Sequence, residues 1–236
     1  MQNKIILIVF SALISSINIY AQDSIQQEKN QWLYFNGYLK NLEQFSFKDN
    51  ADSVYLTAEL HNRLNFKVAL SKKFEFNIGM RNRLFAGDQV KMIPGFADQI
   101  DADNGYFDLS FNWIESGSMV LNTTFDRLNA DWHNNKFHFR VGRQRINWGI
   151  NMTWNANDIF NSYNFLDFDY EERPGTDALL AEYNISDFSE IDVAYAPSKD
   201  DSASTAALRY KINKHNYDVQ IIGGLCNTDY VLGVGW

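Results

Sequence analysis

The chain has 236 residues, 21 Lys+Arg against 29 Asp+Glu, a formal net charge of −8 and 45% hydrophobic residues. The acidic surplus argues against a nucleic-acid partner, which calls for a basic surface. A single cysteine, Cys226, excludes an internal disulfide, and His61, His133, His138 and His215 lack the close spacing of metal ligands.

Met1 to Ala21 has the form of an export signal. Lys4 supplies the positive start and Ile5 to Ile14 the apolar stretch. Ala21 before Gln22 is the expected cleavage point, although Ile19 is bulkier than the small residue usual two places upstream. The apolar stretch is too short to cross a bilayer as a helix. Removal of this segment takes away Lys4 alone and leaves 20 Lys+Arg, net −9, on one domain over residues 22–236. No other segment has a long uncharged apolar run. A membrane reading therefore rests on strands, because only helices and closed barrels satisfy backbone groups in lipid.

Strands are predicted near 32–42, 54–70, 74–85, 119–130, 136–146, 177–184, 189–196, 204–212, 217–225 and 229–236. The rhythm is clearest from Tyr55 to Leu84. Leu56, Ala58, Leu60, Leu64, Phe66, Val68 and Leu70 share one face, opposite Thr57, Glu59, His61, Arg63, Asn65 and Lys67. After Ser71-Lys72-Lys73, the residues Phe74, Phe76, Ile78, Met80 and Leu84 alternate with Glu75, Asn77, Arg81 and Arg83. Successive strand residues point to opposite faces, so each strand has one oily and one charged face. Runs of ten or more such residues behind an export signal suit a transmembrane barrel, apolar toward lipid and polar toward its lumen. The candidate lumen residues are Glu59, His61, Arg63, Lys67, Glu75, Arg81 and Arg83, joined by Asp126, His138 and Arg140 on later strands. A salt-bridge lattice that stiffens the wall would use the same groups.

The connections alternate in length. Residues 71–73, 133–135, 186–188 and 213–216 are short, and 43–53, 86–118, 147–176 and 197–203 are long. Barrels have short turns on one side and long loops on the other. Tyr106 to Ile114 alternates well, but as a membrane strand it would put 147–176 on the wrong side, so it is expected in an outer loop, as an extracellular strand or an inward-folded strap. Trp32, Tyr34, Trp132, Trp148, Tyr183, Tyr195 and Trp236 lie near strand ends, as an interfacial aromatic belt requires. Asp98, Asp101, Asp103 and Asp108 cluster around Asn104-Gly105 but lack a full calcium loop. The last strand, Asp229 to Trp236, is short for a membrane span. Ten strands would fill their own interior, whereas about sixteen or more leave a channel. The expectation is the N-terminal part of a larger antiparallel barrel, truncated at its C-terminus.

The densest region is Phe137 to Gly175. Phe137, Phe139 and Val141 face lipid; His138, Arg140, Gly142 and Gln144 face the lumen. Strict alternation pushes Arg143 and Arg145 toward lipid, costing about 2–4 kcal/mol at mid-membrane. Either the strand has left the hydrocarbon there, or a bulge at Gly142 turns both arginines inward. Arg143, Arg145, Asp158, Glu171, Glu172 and Arg173 are candidate pore-constriction residues in contact with solute; Arg143, Arg145 and Arg173 would equally serve to brace the loop against Asp158, Asp167, Asp169, Glu171 and Glu172.

The run Val141-Gly142-Arg143-Gln144-Arg145-Ile146-Asn147-Trp148-Gly149, then Asn157-Asp158-Ile159-Phe160, resembles a segment of porin-like outer-membrane barrels. It is broadly similar to the alginate-export type and related porins. Asp169-Tyr170-Glu171-Glu172-Arg173-Pro174-Gly175 is similar to the acidic-Arg-Pro-Gly stretch that follows in such barrels. The match covers about residues 119–180. It implies passive or selective passage of a small hydrophilic solute, and the greater length of such barrels agrees with truncation. Expected partners are outer-membrane lipid and lipopolysaccharide, with a homo-oligomer as a further option; no cofactor is expected. Two other readings stay open: a non-conducting barrel acting as scaffold or surface-binding protein, and a soluble secreted β-sandwich binding carbohydrate. Enzymatic signals are thin. Glu171 and Glu172 are adjacent and point apart in an extended chain, and no Gly-flanked serine or phosphate-cradling glycine motif occurs.

Overall fold

The computed structural model describes residues 32–48, 53–150, 155–161, 174–200 and 203–236. The predicted export signal lies outside them. Eleven antiparallel strands form one sheet: β1 (Leu33–Lys48), β2 (Ser53–Ser71), β3 (Phe74–Gly87), β4 (Ser110–Ser116), β5 (Met119–His133), β6 (Phe137–Gln144), β7 (Thr176–Ser186), β8 (Ser189–Ala196), β9 (Thr205–Lys214), β10 (Tyr217–Cys226) and β11 (Asp229–Gly235). Two short helices follow β3: α1 (Asp88–Met92) and α2 (Phe96–Asp101). The strand order is that of the chain, with β4 off the path and paired to β5. Among the described residues no pairing joins β1 to β11, so the sheet is open.

Ten strands were expected and the eleventh is β4, part of the segment placed in the outer loop. Met119–Thr124 of β5 pairs with β4 on the edge that Leu128–His133 shares with β6. β6 stops at Gln144, and β4 continues along that edge toward the long loops. It is thus the loop-side strand of the two options. A second difference concerns residues 43–53, expected as a long connection. β1 runs to Lys48 and β2 starts at Ser53, because Phe45↔Leu56 and Phe47↔Val54 continue the outward apolar row. The polar Glu43, Gln44 and Ser46 between them mimic a loop.

Burial is inverted relative to a water-soluble sheet. On the row of Phe139 and its neighbours, Phe139 is 45%, Leu179 54% and Val193 50% exposed, whereas on the rows facing the other way Arg63 is 1% and Asp192 0% exposed. The charged rows are thus the inner face. Two apolar clusters also sit there. Phe85 and Val120, on inner rows of β3 and β5, pack against Val90, Phe96 and Ala97 of α1 and α2. Ala178, Leu180, Ala194, Ala196, Ala207 and Ile222, on inner rows of β7 to β10, pack against Ile146 and Trp148 of the segment that leaves β6. The described parts of two long connections therefore fold onto the inner face. Trp148 is 3% exposed within that cluster, so it does not belong to the expected aromatic belt. Its flanking Ile146 and Phe160 bring it inside. Trp32, Tyr195 and Trp236 are exposed as a belt requires.

Candidate functional site

The candidate site is the inner face together with the Arg143 knot beside it, and the charges of the inner face come from strand alternation. The β2–β3 register sets Arg63 directly against Arg81 and His61 against Arg83. Like charges directly opposite repel. The relief comes from β5. A register shift there, between the pairs Gly79↔Arg127 and Met80↔Phe125, inserts Asp126 as an extra residue. A bulge re-aims a side chain in this way. Asp126 Oδ2 accepts from Arg63 Nη1 at 2.8 Å, and its Oδ1 lies 3.4 Å from Arg81 Nη2. Arg127 Nη1 donates to the Asp126 carbonyl at 2.7 Å. Arg83 stacks over the Phe85 ring at 5.4 Å. Toward the short turn Lys67 Nζ reaches Glu75 at 2.6 Å, and toward the loop end His61 Nδ1 lies 3.9 Å from Glu59.

Around β6 the lattice turns on Asp131. Its carboxylate accepts from Arg140 Nε at 2.7 Å and contacts His138 Nε2 at 2.8 Å; the other ring nitrogen of His138 contacts Glu182. Asp192 on β8 accepts from Arg209 Nε at 2.6 Å, Arg209 also bonds Glu190, and Lys211 lies 3.6 Å from Glu190. The Arg209 guanidinium lies 5.5 Å from the centre of the Trp148 ring. Asp131, Glu182, Asp192 and Arg209 escaped the sequence reading as site residues. All occupy inner positions of strands, and Asp131 falls just past the expected end of its strand at 130.

Arg143 forms the tightest knot. No register shift interrupts β5–β6 or β6–β7 at Gly142, so the bulge explanation fails. Gly142 itself adopts φ 109°, and the register keeps Arg143 on the row of Val141, paired with Asp177. Arg143 Nε and Nη2 donate to the two Asp177 oxygens at 3.0 and 2.7 Å. Its Nη1 donates to Asp103 and its Nη2 also to the Phe107 carbonyl at 2.7 Å. A Cβ at Gly105 would meet the Arg143 guanidinium and the Asp177 carboxylate, so a side chain there would have to displace that ion pair. Among the described residues, Arg143 is braced by residues 103–107 together with Asp177. Asp103 is not a free ligand: burial opposes its ionisation, but Arg143 and the N–H groups of Gly105 and Leu109 outweigh that and hold its carboxyl below the usual range.

Arg145 is half-buried, and its Nε has no hydrogen bond among the described residues. Asp158 is buried in the segment that follows β6, described at residues 145–150 and 155–161 and here termed the strap. Glu171, Glu172 and Arg173, with Asp167 and Asp169, lie outside the described residues. The strap crosses the inner face: Gln220 Nε2 of β10 donates to the Trp148 carbonyl at 2.6 Å, and Asn161 caps the turn by accepting from Ile146 N at 2.8 Å. Among the described residues no group of three His, Cys, Asp or Glu is arranged to hold a metal ion.

No family model and no curated protein matches the sequence. Among solved structures, a triple mutant of the porin from Rh. blastica is similar at 10% identity, over 86% of this chain and 88% of that chain, with a TM-score of 0.32. A likeness of that size carries no weight; the assignment of an all-β, antiparallel fold rests on the strand pairing.

Proposed function

We propose that this chain forms the wall of an outer-membrane β-barrel that passes small hydrophilic solutes, with no catalytic role. One observation carries the reading: the sheet hides its ions and displays its apolar rows. In water each displayed Leu, Ile or Phe forfeits about 1.5–3 kcal/mol of burial. In lipid the same rows are at home, and the charges face an aqueous lumen. A secreted sandwich needs the opposite arrangement, with apolar rows inside. The export signal expected from residues 1–21 supports the outer-membrane location.

Glu59, Lys67, Glu75, Arg81, Arg83, His138 and Arg140 then line the solute path, and the buried His61, Arg63 and Asp126 hold that wall from behind. Rings of such side chains set ion preference. The α1–α2 excursion and the strap narrow that path near its loop end. The same two elements favour a second reading, a filled barrel that conducts nothing. The full chain in planar bilayers separates the two. Discrete conductance steps are expected; a protein that inserts without any would overturn the channel and leave the filled barrel.

A further inference from the structure

The outward face carries a groove of about 440 Å³ at the short-turn end. Phe74, Ala130, Trp132, Phe139, Ala181 and Tyr195 line it. One cross-strand row supplies Phe74↔Trp132↔Phe139↔Ala181, and Ala130 and Tyr195 stand on the next row. The two alanines leave a trough between the rings. Its volume suits a stretch of one flexible chain rather than a whole protein partner.

Directly below lie three exposed lysines. Lys73 precedes Phe74, with Lys72 beside it in the β2–β3 turn, and Lys136 precedes Phe137 in the β5–β6 turn. The turns are neighbours: His133 N donates to the Lys73 carbonyl at 2.9 Å, and Asn184 N to the Lys136 carbonyl at 2.8 Å. Neither turn contains an acid. Phe137 stacks on Phe139 at 6.1 Å and links this rim to the groove. The opposite rim carries more acids than bases, with Asp88, Asp98, Asp101 and Asp108 against Lys91 and Lys199, Asp103 being paired to Arg143. On an acidic chain, cations are thus gathered where the apolar groove opens. Lysine stems lie along apolar surface while their ammonium groups reach the headgroup layer, and each lysine near an anionic lipid surface favours it about fivefold.

We infer that this groove and Lys72, Lys73 and Lys136 form a binding site for one anionic phospholipid, its acyl chain between Trp132 and Tyr195 and its phosphate at the lysines. The site rests on the membrane reading above. It is separate from the lumen and does not require the barrel to conduct.

The test uses the full chain in phosphatidylcholine vesicles containing equal fractions of brominated phosphatidylglycerol or brominated phosphatidylcholine. Trp132 fluorescence is isolated by difference against Trp132→Phe. Quenching by the anionic lipid at least about fivefold more effective than by the neutral one is expected. The triple variant Lys72→Gln, Lys73→Gln, Lys136→Gln should bring the two lipids to parity with neutral quenching unchanged. Molar salt should do the same in the unaltered chain. Ile221→Trp, outward on β10, serves as the remote reporter. Equal quenching of Trp132 by both lipids overturns the site, as does a preference shared equally by the remote reporter. A preference that survives the triple variant also overturns it. If the remote reporter is quenched and Trp132 by neither lipid, another protein surface covers the groove and the site is again overturned. If neither position is quenched, the membrane reading itself falls.

Discussion

On β2, β3 and β5 the inner rows carry His61, Arg63, Arg81, Arg83 and Arg127 around Asp126, whereas on β7, β8 and β9 the corresponding rows also carry Ala178, Leu180, Ala194, Ala196 and Ala207 under Ile146 and Trp148. Both stretches alternate with period two and face the same side. The first holds mutually bonded ions, the second a landing strip of small apolar residues for the strap. The difference teaches that alternation assigns a face, while side-chain size on that face assigns what touches it. Ions on an inner row belong with water and counter-ions. Alanines there mark where a connection lies down.

The seam between the two regions is the place to break the comparison hardest. Arg143→Ala leaves Asp103 and Asp177 buried without their cation, and should cost about 4 kcal/mol in chemical unfolding. Residues 103–109 should then become sensitive to protease while β1–β3 stays protected. On the strap side, Trp148→Ala removes a buried ring and should cost about 3 kcal/mol. Single-channel recording should show a larger conductance step, since the strap loses its anchor. Ala194→Leu overfills the landing strip and should cost about 1–3 kcal/mol. Its outward neighbour Val193→Leu should stay within about 0.5 kcal/mol in the same assay. Equal costs for these two would show that the strip does not carry the strap.

The smallest effect expected is with pH. Asp103 has its carboxyl lowered in the folded state, relative to about 3.9 in an unfolded chain. Its contribution is therefore present in full above the ordinary carboxylate range and lost as pH falls through the lower folded value. Residues 103–109 should resist proteolysis from neutrality down to about pH 4 and open to an acid protease only below that. Opening already at pH 5–6 would contradict the Arg143 contact.

Much of the wall was legible in the sequence. Leu56 to Leu84 shows its two faces without help, because each position has one nearest-neighbour constraint, inward or outward. The opposition of Glu59, His61, Arg63 and Lys67 to Glu75, Arg81 and Arg83 was legible for the same reason. What escaped depends on contacts distant in the chain. Arg143 is bonded by Asp103 and Asp177, which no local period links to it. Asp126 looked like one more inward residue, and only the register of two strands shows it as the bulge that reconciles Arg63 with Arg81. Ala194, Ala196 and Ala207 read as weak strand residues until the strap is seen on them. Trp148 looked interfacial because a tryptophan near a strand end satisfies two environments equally well.

Apart from the step over β4, each strand pairs with its successor in the chain, so the wall can zip from hairpin to hairpin with little loop-closure cost. The knot of residues 103, 143 and 177 cannot form until both β4–β5 and β6–β7 exist. It is therefore expected to form late, and contacts made after the rate-limiting step act on the rate of coming apart more than on the rate of assembly. Gly105, the small residue seated on that knot, thus governs how long the finished structure lasts rather than how fast it is made.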